Sequence, residues 1–306
     1  MDLARPDLRP DPSLEHDEML ALQREVARAA RFVDDVDATP AAVAIDEPVS
    51  VPPLPEGAPV ERGAVATADP AVLGGDGPAP GTAGGGGDEG PRPLVAGVDQ
   101  AFRGEEAVSA VVVLRGDEVV ARAASRVGLE MPYVPGLLAF REAGAIVDAL
   151  AALPVEPDLL LLDGSGRIHY RQAGLATHVG VLFDVPALGV AKSLLCGEPA
   201  APLDRHLAAG ERVAVEADDE VEPVGPGGDG DRASHPVPDP DWPVVGYAVQ
   251  TRQFPNPERR HVNPLFASPG HRLRAGTAAD LVDALAAGYK LPEPTRLADA
   301  LADDLP

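Results

Sequence analysis

Lysine is almost absent from this 306-residue chain: of 25 basic residues only Lys192 and Lys290 are lysines, and arginine supplies the rest. Cysteine appears once, at Cys196, which excludes an intramolecular disulfide and a cysteine-rich zinc site and leaves nothing that points to secretion. Aromatic side chains make up only 4% of the residues, so any ring placed conspicuously asks for a reason. No apolar run approaches the roughly 18 residues that span a bilayer. The opening stretch MDLARPDLRPDPSLEHDEML is too acidic for a signal peptide. These absences predict a soluble cytoplasmic protein with no membrane partner.

Negative charge is what abounds: 49 acids face 25 bases, for a formal charge of −24. Dense carboxylates hold hydration where salt screens their mutual repulsion, so an acid-rich, lysine-poor surface predicts a halophilic cytoplasm of haloarchaeal type. An acidic protein that avoids nucleic acid in ordinary salt carries the same charge sum, so charge alone leaves that reading open. Glycine (32) and proline (34) are abundant and unevenly spread. Residues 34 to 92 hold eleven acids and end in GDGPAPGTAGGGGDEGPRP. Such a stretch cannot bury enough apolar surface to offset its ordering entropy and is expected to be a disordered insert. A second solvated acidic loop is expected over 205 to 241, with nine acids against one arginine between 213 and 241.

Between these segments the hydrophobic pattern is regular. Residues 12 to 33 predict one amphipathic helix with Ser13 as its N-cap. LVAGVDQAF, AVSAVVVLRG and EVVARAAS, beginning at 94, 107 and 118, predict an antiparallel meander with a tight Gly116-Asp117 turn. Helical spacing recurs over 137 to 152, and PDLLLLDG (157 to 164) is a continuous apolar run of the kind buried on both sheet faces. A helix over 173 to 184 and a strand over 186 to 193 follow. Strands near 244 to 251 and 262 to 267, a helix over 277 to 288 opened by a Thr277/Asp280 capping pair, and a short helix after Pro294 complete the order. Taken as a single domain with a core over 93 to 204 and 242 to 306, the chain predicts an α/β fold: a mixed, ribonuclease H-like sheet flanked by helices.

Three acids stand out by position. Asp99 lies in an apolar strand, Glu142 sits on the helix after MPYVPG, and Asp163 ends the LLLLDG run. A buried carboxylate is costly unless paired or bound to a cation. Three converging would take a hard ion such as Mg²⁺ or Mn²⁺. Singly, each has a plainer explanation: an Asp before Gly forms turns, and a helix Glu is usually solvated. Their company shifts the balance. His169 follows Asp163 on a Gly-rich loop, and Lys192 ends the next strand in a chain that otherwise avoids lysine, where a compact ammonium suits a charged site better than a guanidinium fork. A lysine snorkelling from a strand end remains the alternative.

At these residues the chain resembles the endonuclease V family of deoxyinosine-directed, ribonuclease H-like nucleases. The motifs are AGVDQAF, PYVPGLLAFRE, LLDGSGRIHYRQAGLATHVGVLFDVPALGVAKSLL, SPGH and LPEPTRLAD, in family order. The resemblance implies that Asp99, Glu142 and Asp163 hold the divalent metal. It implies that His169, Lys192 and His271 act at the scissile phosphate. Pro132, Tyr133, Val134 and Pro135 would form a strand-separating wedge, with Gly136 lining the pocket for the extruded base. It further implies a DNA repair enzyme, expected here as a monomer, that hydrolyses the second phosphodiester bond 3′ to deoxyinosine. A related nuclease acting on inosine-containing RNA or branched nucleic acid is the alternative. The family places proline after the loop histidine, where this chain has Tyr170.

Overall fold

The computed structural model describes residues 1–50, 63–68, 92–224, 241–252 and 263–305. Ten strands form one mixed sheet: β1 (Gly63–Ala68), β2 (Leu94–Arg103), β3 (Glu106–Arg115), β4 (Glu118–Gly128), β5 (Leu159–Asp163), β6 (Ala187–Ala191), β7 (Glu198–Pro199), β8 (Arg212–Glu216), β9 (Val244–Val249) and β10 (Leu265–His271). Their spatial order is β1-β4-β3-β2-β5-β6-β10-β9-β8-β7. The expected meander is present, turning at Gly104 and Gly116, whose positive φ of 64° and 62° suits glycine. β5 then adds parallel to β2, with Val98 opposite Leu162, and β6 parallel to β5, with Val190 opposite Asp163. The remaining strands return antiparallel.

The helices are α1 (His16–Ala29), α2 (Pro40–Val43), α3 (Leu138–Ala151), α4 (Leu175–Phe183), α5 (Ala275–Ala284) and α6 (Glu293–Asp304). Alternation along the central strands divides them between two cores. Val95, Leu159 and Leu161 face α5 and α6, whereas Ala96, Val98, Leu160 and Leu162 face α3 and α4. The four β5 leucines are fully buried, each stabilising the fold by about 1.5–3 kcal/mol. α1 lies outside this sandwich, packing Val26 and Ala27 on Ala173 and Val181, and Met19 on Leu137 and Phe140.

Several expectations need correction. The first part of the 34–92 segment is built into the protein: Ala38, Val43, Ile45 and Val49 are buried in the α5/α6 core, and Thr39 caps α2. Residues 51–62 and 69–91 lie outside the described residues, and β1 between them pairs with β4. Likewise 205–224 is not a solvated loop, because alternate residues of β8 and Leu207 and Val221 bury against Ile168 and Val245. Only 225–240 of that segment is outside the description. α1 is capped by a reciprocal Glu15/Glu18 box rather than by Ser13, whose hydroxyl turns back to Asp11. Thr277 bonds Asp34 instead of capping α5, and the last helix runs 12 residues from Glu293.

Candidate active site

A cleft of about 500 Å³ opens at the carboxyl ends of β2, β5 and β6, and Asp99, Glu142, Asp163, His169 and Lys192 all line it. Asp99 and Asp163 each follow a directly paired position, Val98 opposite Leu162, so the two acids occupy neighbouring places on adjacent parallel strands. Both are odd-numbered on strands whose odd residues face α6. Lys192 reaches across to Asp163, Nζ to Oδ2 at 2.8 Å. Glu142 comes from α3, on the opposite face, where it accepts from Gln100 Nε2 at 3.2 Å and from Arg141 Nη1 at 3.1 Å.

The electrostatics of this group are those of crowded acids. Asp99 Oδ1 accepts the Gln100 backbone N–H at 2.6 Å, while Oδ2 is buried without a hydrogen-bond partner. Burial first, and the Asp163 charge second, raise the Asp99 carboxyl far above the usual range. Burial likewise pushes Glu142 up to about 7 despite Arg141, and Asp163 adds to the rise. Asp163 and Asp99 help hold Lys192 protonated against its partial burial. A hard divalent cation would relieve both the orphaned oxygen and the repulsion, so the donor chemistry fits one. Among the described residues, however, no three ligand side chains form a ready-made cage. Asp163 is drawn to Lys192, and Glu142 to Arg141 and Gln100.

Sequence reading missed a fourth acid. α6 crosses directly over β2, so closely that a Cβ on Gly97 would meet Pro294 backbone atoms at 2.0 Å. One turn further, Asp299 in the LPEPTRLAD motif bears electrostatically on both Asp99 and Lys192. The signal was in that quoted motif, but an acid on an amphipathic helix carries no mark of its own in sequence.

The two histidines separate. His169 is buried at the cleft wall, its Nε2 bonded to Gly136 O at 3.1 Å and its Nδ1 accepting the Arg171 N–H at 3.1 Å. Burial and Arg171 push its pKa down to about 3, so the ring is neutral and carries its proton on Nε2. His271 does not reach the cleft. SPGH lies within β10, and His271 pairs with Ala187 at the far end of β6, four residues or about 13 Å below the cleft end of that strand. Its ring is occupied by the Arg31 N–H and by Asp184. His178 is a buried structural residue bonded to Leu8 O.

On the cleft rim Val134 O accepts the Leu137 N–H at 3.0 Å, closing a turn with Pro135 and Gly136 at its centre, the latter at φ 79°. This is the type II arrangement that proline and glycine favour at those places. It leaves Tyr133 63% exposed beside the acids. Across the cleft Phe102 is 42% exposed, with the Arg141 guanidinium stacked on it at 4.6 Å.

A mixed sheet of this strand order, with acids gathered at the ends of its central parallel strands, places the chain among the ribonuclease H-like enzymes. The family model for endonuclease V matches residues 87–300. The chain is 53% identical over 306 residues to the endonuclease V of Halobacterium salinarum, covering 100% of both. Its structure is similar to that of endonuclease V from Streptomyces avermitilis, with 27% identity, a TM-score of 0.60 and coverage of 97% and 94%. It is also similar to Ciona intestinalis endonuclease V in complex with a 24mer DNA containing an inosine followed by a ribo-adenosine, with 28% identity, a TM-score of 0.51 and coverage of 69% and 84%. The chain belongs to the endonuclease V family.

Proposed function

We propose that this endonuclease recognises deoxyinosine in DNA and hydrolyses the second phosphodiester bond 3′ to it, using a divalent cation, Mg²⁺ or Mn²⁺, held by Asp99, Asp163 and Glu142. The observation that carries this reading is the unpartnered Asp99 Oδ2 beside Asp163, in a cleft whose rim presents an exposed tyrosine. The relative from Ciona intestinalis, bound to inosine-containing DNA, supports the choice of lesion. The bound cation would lower the pKa of the attacking water and neutralise charge on the phosphate. Asp299 adds negative charge to the same group. Lys192, positioned by Asp163, stabilises the negative charge that develops on phosphate oxygens. His169, neutral and committed to Gly136, holds the cleft wall and does not exchange protons.

Lesion reading requires the base to leave the stack, which costs least where pairing is already weak. Tyr133, set between Pro132 and Val134-Pro135, loses little freedom on entering the vacated space. Gly136, which has no side chain and whose carbonyl is already held by Gln23 and His169, would line the pocket for the extruded base. The protein acts as a monomer in a halophilic cytoplasm, a habitat supported by the relative from Halobacterium salinarum.

Incubating the protein with Mg²⁺ or Mn²⁺ and an end-labelled inosine oligonucleotide tests this. The labelled product should end one nucleotide past the lesion, and Asp163→Ala should cut about a hundredfold more slowly or worse. An intact oligonucleotide, or a break at another linkage, would refute the proposal. The ribo-adenosine in the DNA bound to the Ciona relative favours a second reading, cleavage of an RNA linkage. A ribonucleotide 3′ to the inosine distinguishes the two by rate.

A further inference from the structure

The Gly136 carbonyl, one residue past Pro135, receives more donors than an ordinary turn carbonyl. Gln23 Nε2 donates to it at 2.7 Å, His169 Nε2 at 3.1 Å and Arg171 Nη2 at 3.4 Å. Arg171 Nε in turn donates to Gln23 Oε1 at 2.6 Å, which fixes the amide so that its N–H points at the turn. Gln23 is 0% exposed, although it sits on a surface helix 113 positions away in sequence. A buried amide with both ends satisfied by such distant partners is a built connection and not a chance contact.

The connection continues outward. Glu222, in the segment between β8 and β9, accepts from Arg24 of α1 at 2.8 and 3.0 Å and lies 3.9 Å from Arg171. Its backbone clamps the same loop, with Glu222 N donating to Tyr170 O at 2.6 Å and Gln172 Nε2 donating to Glu222 O at 2.8 Å. The Tyr170 ring lies under Gly136, where a Cβ would stand 2.9 Å from it.

We infer that Gln23 and Arg171 are positioning residues that lock the Pro132–Gly136 turn as a rigid strand-separating device, and that Glu222 braces this lock from the acidic segment. The inference rests on the proposed use of Tyr133 against a base pair. A carbonyl held from three directions cannot rotate, so the turn cannot yield when the ring is pressed into a stacked duplex. A substrate already single-stranded makes no such demand.

Gln23→Glu is the informative change, because the carboxylate still accepts from Arg171 but has no N–H for Gly136. Relative to the unaltered protein, kcat/KM for inosine within a duplex should fall about tenfold, the scale of one buried hydrogen bond. For the same lesion in a single strand it should stay within about twofold. Amide exchange over residues 131–138 should speed up while β5 stays unchanged, a readout that needs no substrate. Glu222→Gln should reproduce the same pattern more weakly. Equal losses on duplex and single strand, or unchanged exchange in the turn, would overturn the inference. If the unaltered protein cuts neither inosine substrate, the functional reading fails, and the exchange result still decides whether the lock exists.

Discussion

Under the proposed function, Asp99 gives up stability for cation binding. A buried carboxylate with an unpartnered oxygen and a neighbouring negative charge is a strained arrangement that selection for stability alone would remove. Asp99→Asn should therefore raise the melting temperature measured in EDTA while abolishing cleavage, and calorimetry beside a cleavage assay checks both. His271 makes the opposite case. With both ring nitrogens bonded to Arg31 N–H and Asp184, far from the cleft, His271→Ala should cost about 1–3 kcal/mol by denaturant unfolding. Cleavage by the folded fraction should stay within about twofold. In sequence the two residues looked alike, each a polar residue in or after an apolar strand. What separated them was strand direction: β10 runs antiparallel to β6, so the end of its motif points away from the acids.

At the scale of elements, the packing of α6 on β2 matters most, because it sets Asp299 against Asp99. Gly97 permits that approach. Gly97→Ala would place a methyl group on the Pro294 carbonyl, which cannot give way as a flexible side chain would. The expected outcome is a loss of several kcal/mol in urea unfolding, together with reduced cleavage at temperatures where the protein is still folded. Elements whose residues repeat at a fixed period were legible in sequence: the meander, the LLLLDG strand and α3 all lie within a few residues of their expected bounds. The 34–50 segment was not legible, because Ala38, Val43, Ile45 and Val49 bury singly among prolines and acids with no period. The acids Asp99, Glu142 and Asp163 were visible as charges in apolar frames. Gln23, Arg171 and Glu222 were not, since nothing local marks a polar residue whose partner is more than a hundred positions away or in another segment.

For the whole molecule, titration separates two sets of groups. His169 and His178 are pushed down to about 3 and 4 by burial, so the unfolded chain binds their protons first and stability falls as pH drops below 6.5. Asp99 and Glu142 are pushed up, so the folded protein binds more protons than the unfolded one from the usual carboxylate range to about 7 for Glu142 and beyond it for Asp99. Their stabilising contribution is lost as pH rises through that window. The melting temperature in EDTA should consequently stay roughly level in mildly acidic solution, where the two trends oppose each other, fall on further acidification as the histidines charge, and decline above about pH 6.5 as Glu142 and Asp99 ionise, and Asp99→Asn should flatten that decline. Charge predicts a further outcome. Twenty of the 49 acids fall within 34–92 and 213–241, which leaves the rest of the chain much less negative than −24 implies. With phosphate attraction screened and counterion release yielding little, affinity should rest on the cation and the base pocket. Inosine-directed cleavage should therefore persist in molar KCl, and loss above a few tenths molar would contradict that. The path of residues 1–50 also bears on how the molecule assembles. Ala4 bonds Leu182, Asp35 bonds Arg272, Ile45 bonds Ala284 and Val49 bonds Glu293, so the earliest part of the chain is a belt fastened by partners from its later part. During synthesis the first residues can fasten once Leu182 has emerged, but residues 35–49 must wait, unfastened, until almost the whole polypeptide is out. The belt should therefore close last in refolding, and a ribosome stalled before position 293 would hold a chain that remains open to proteases.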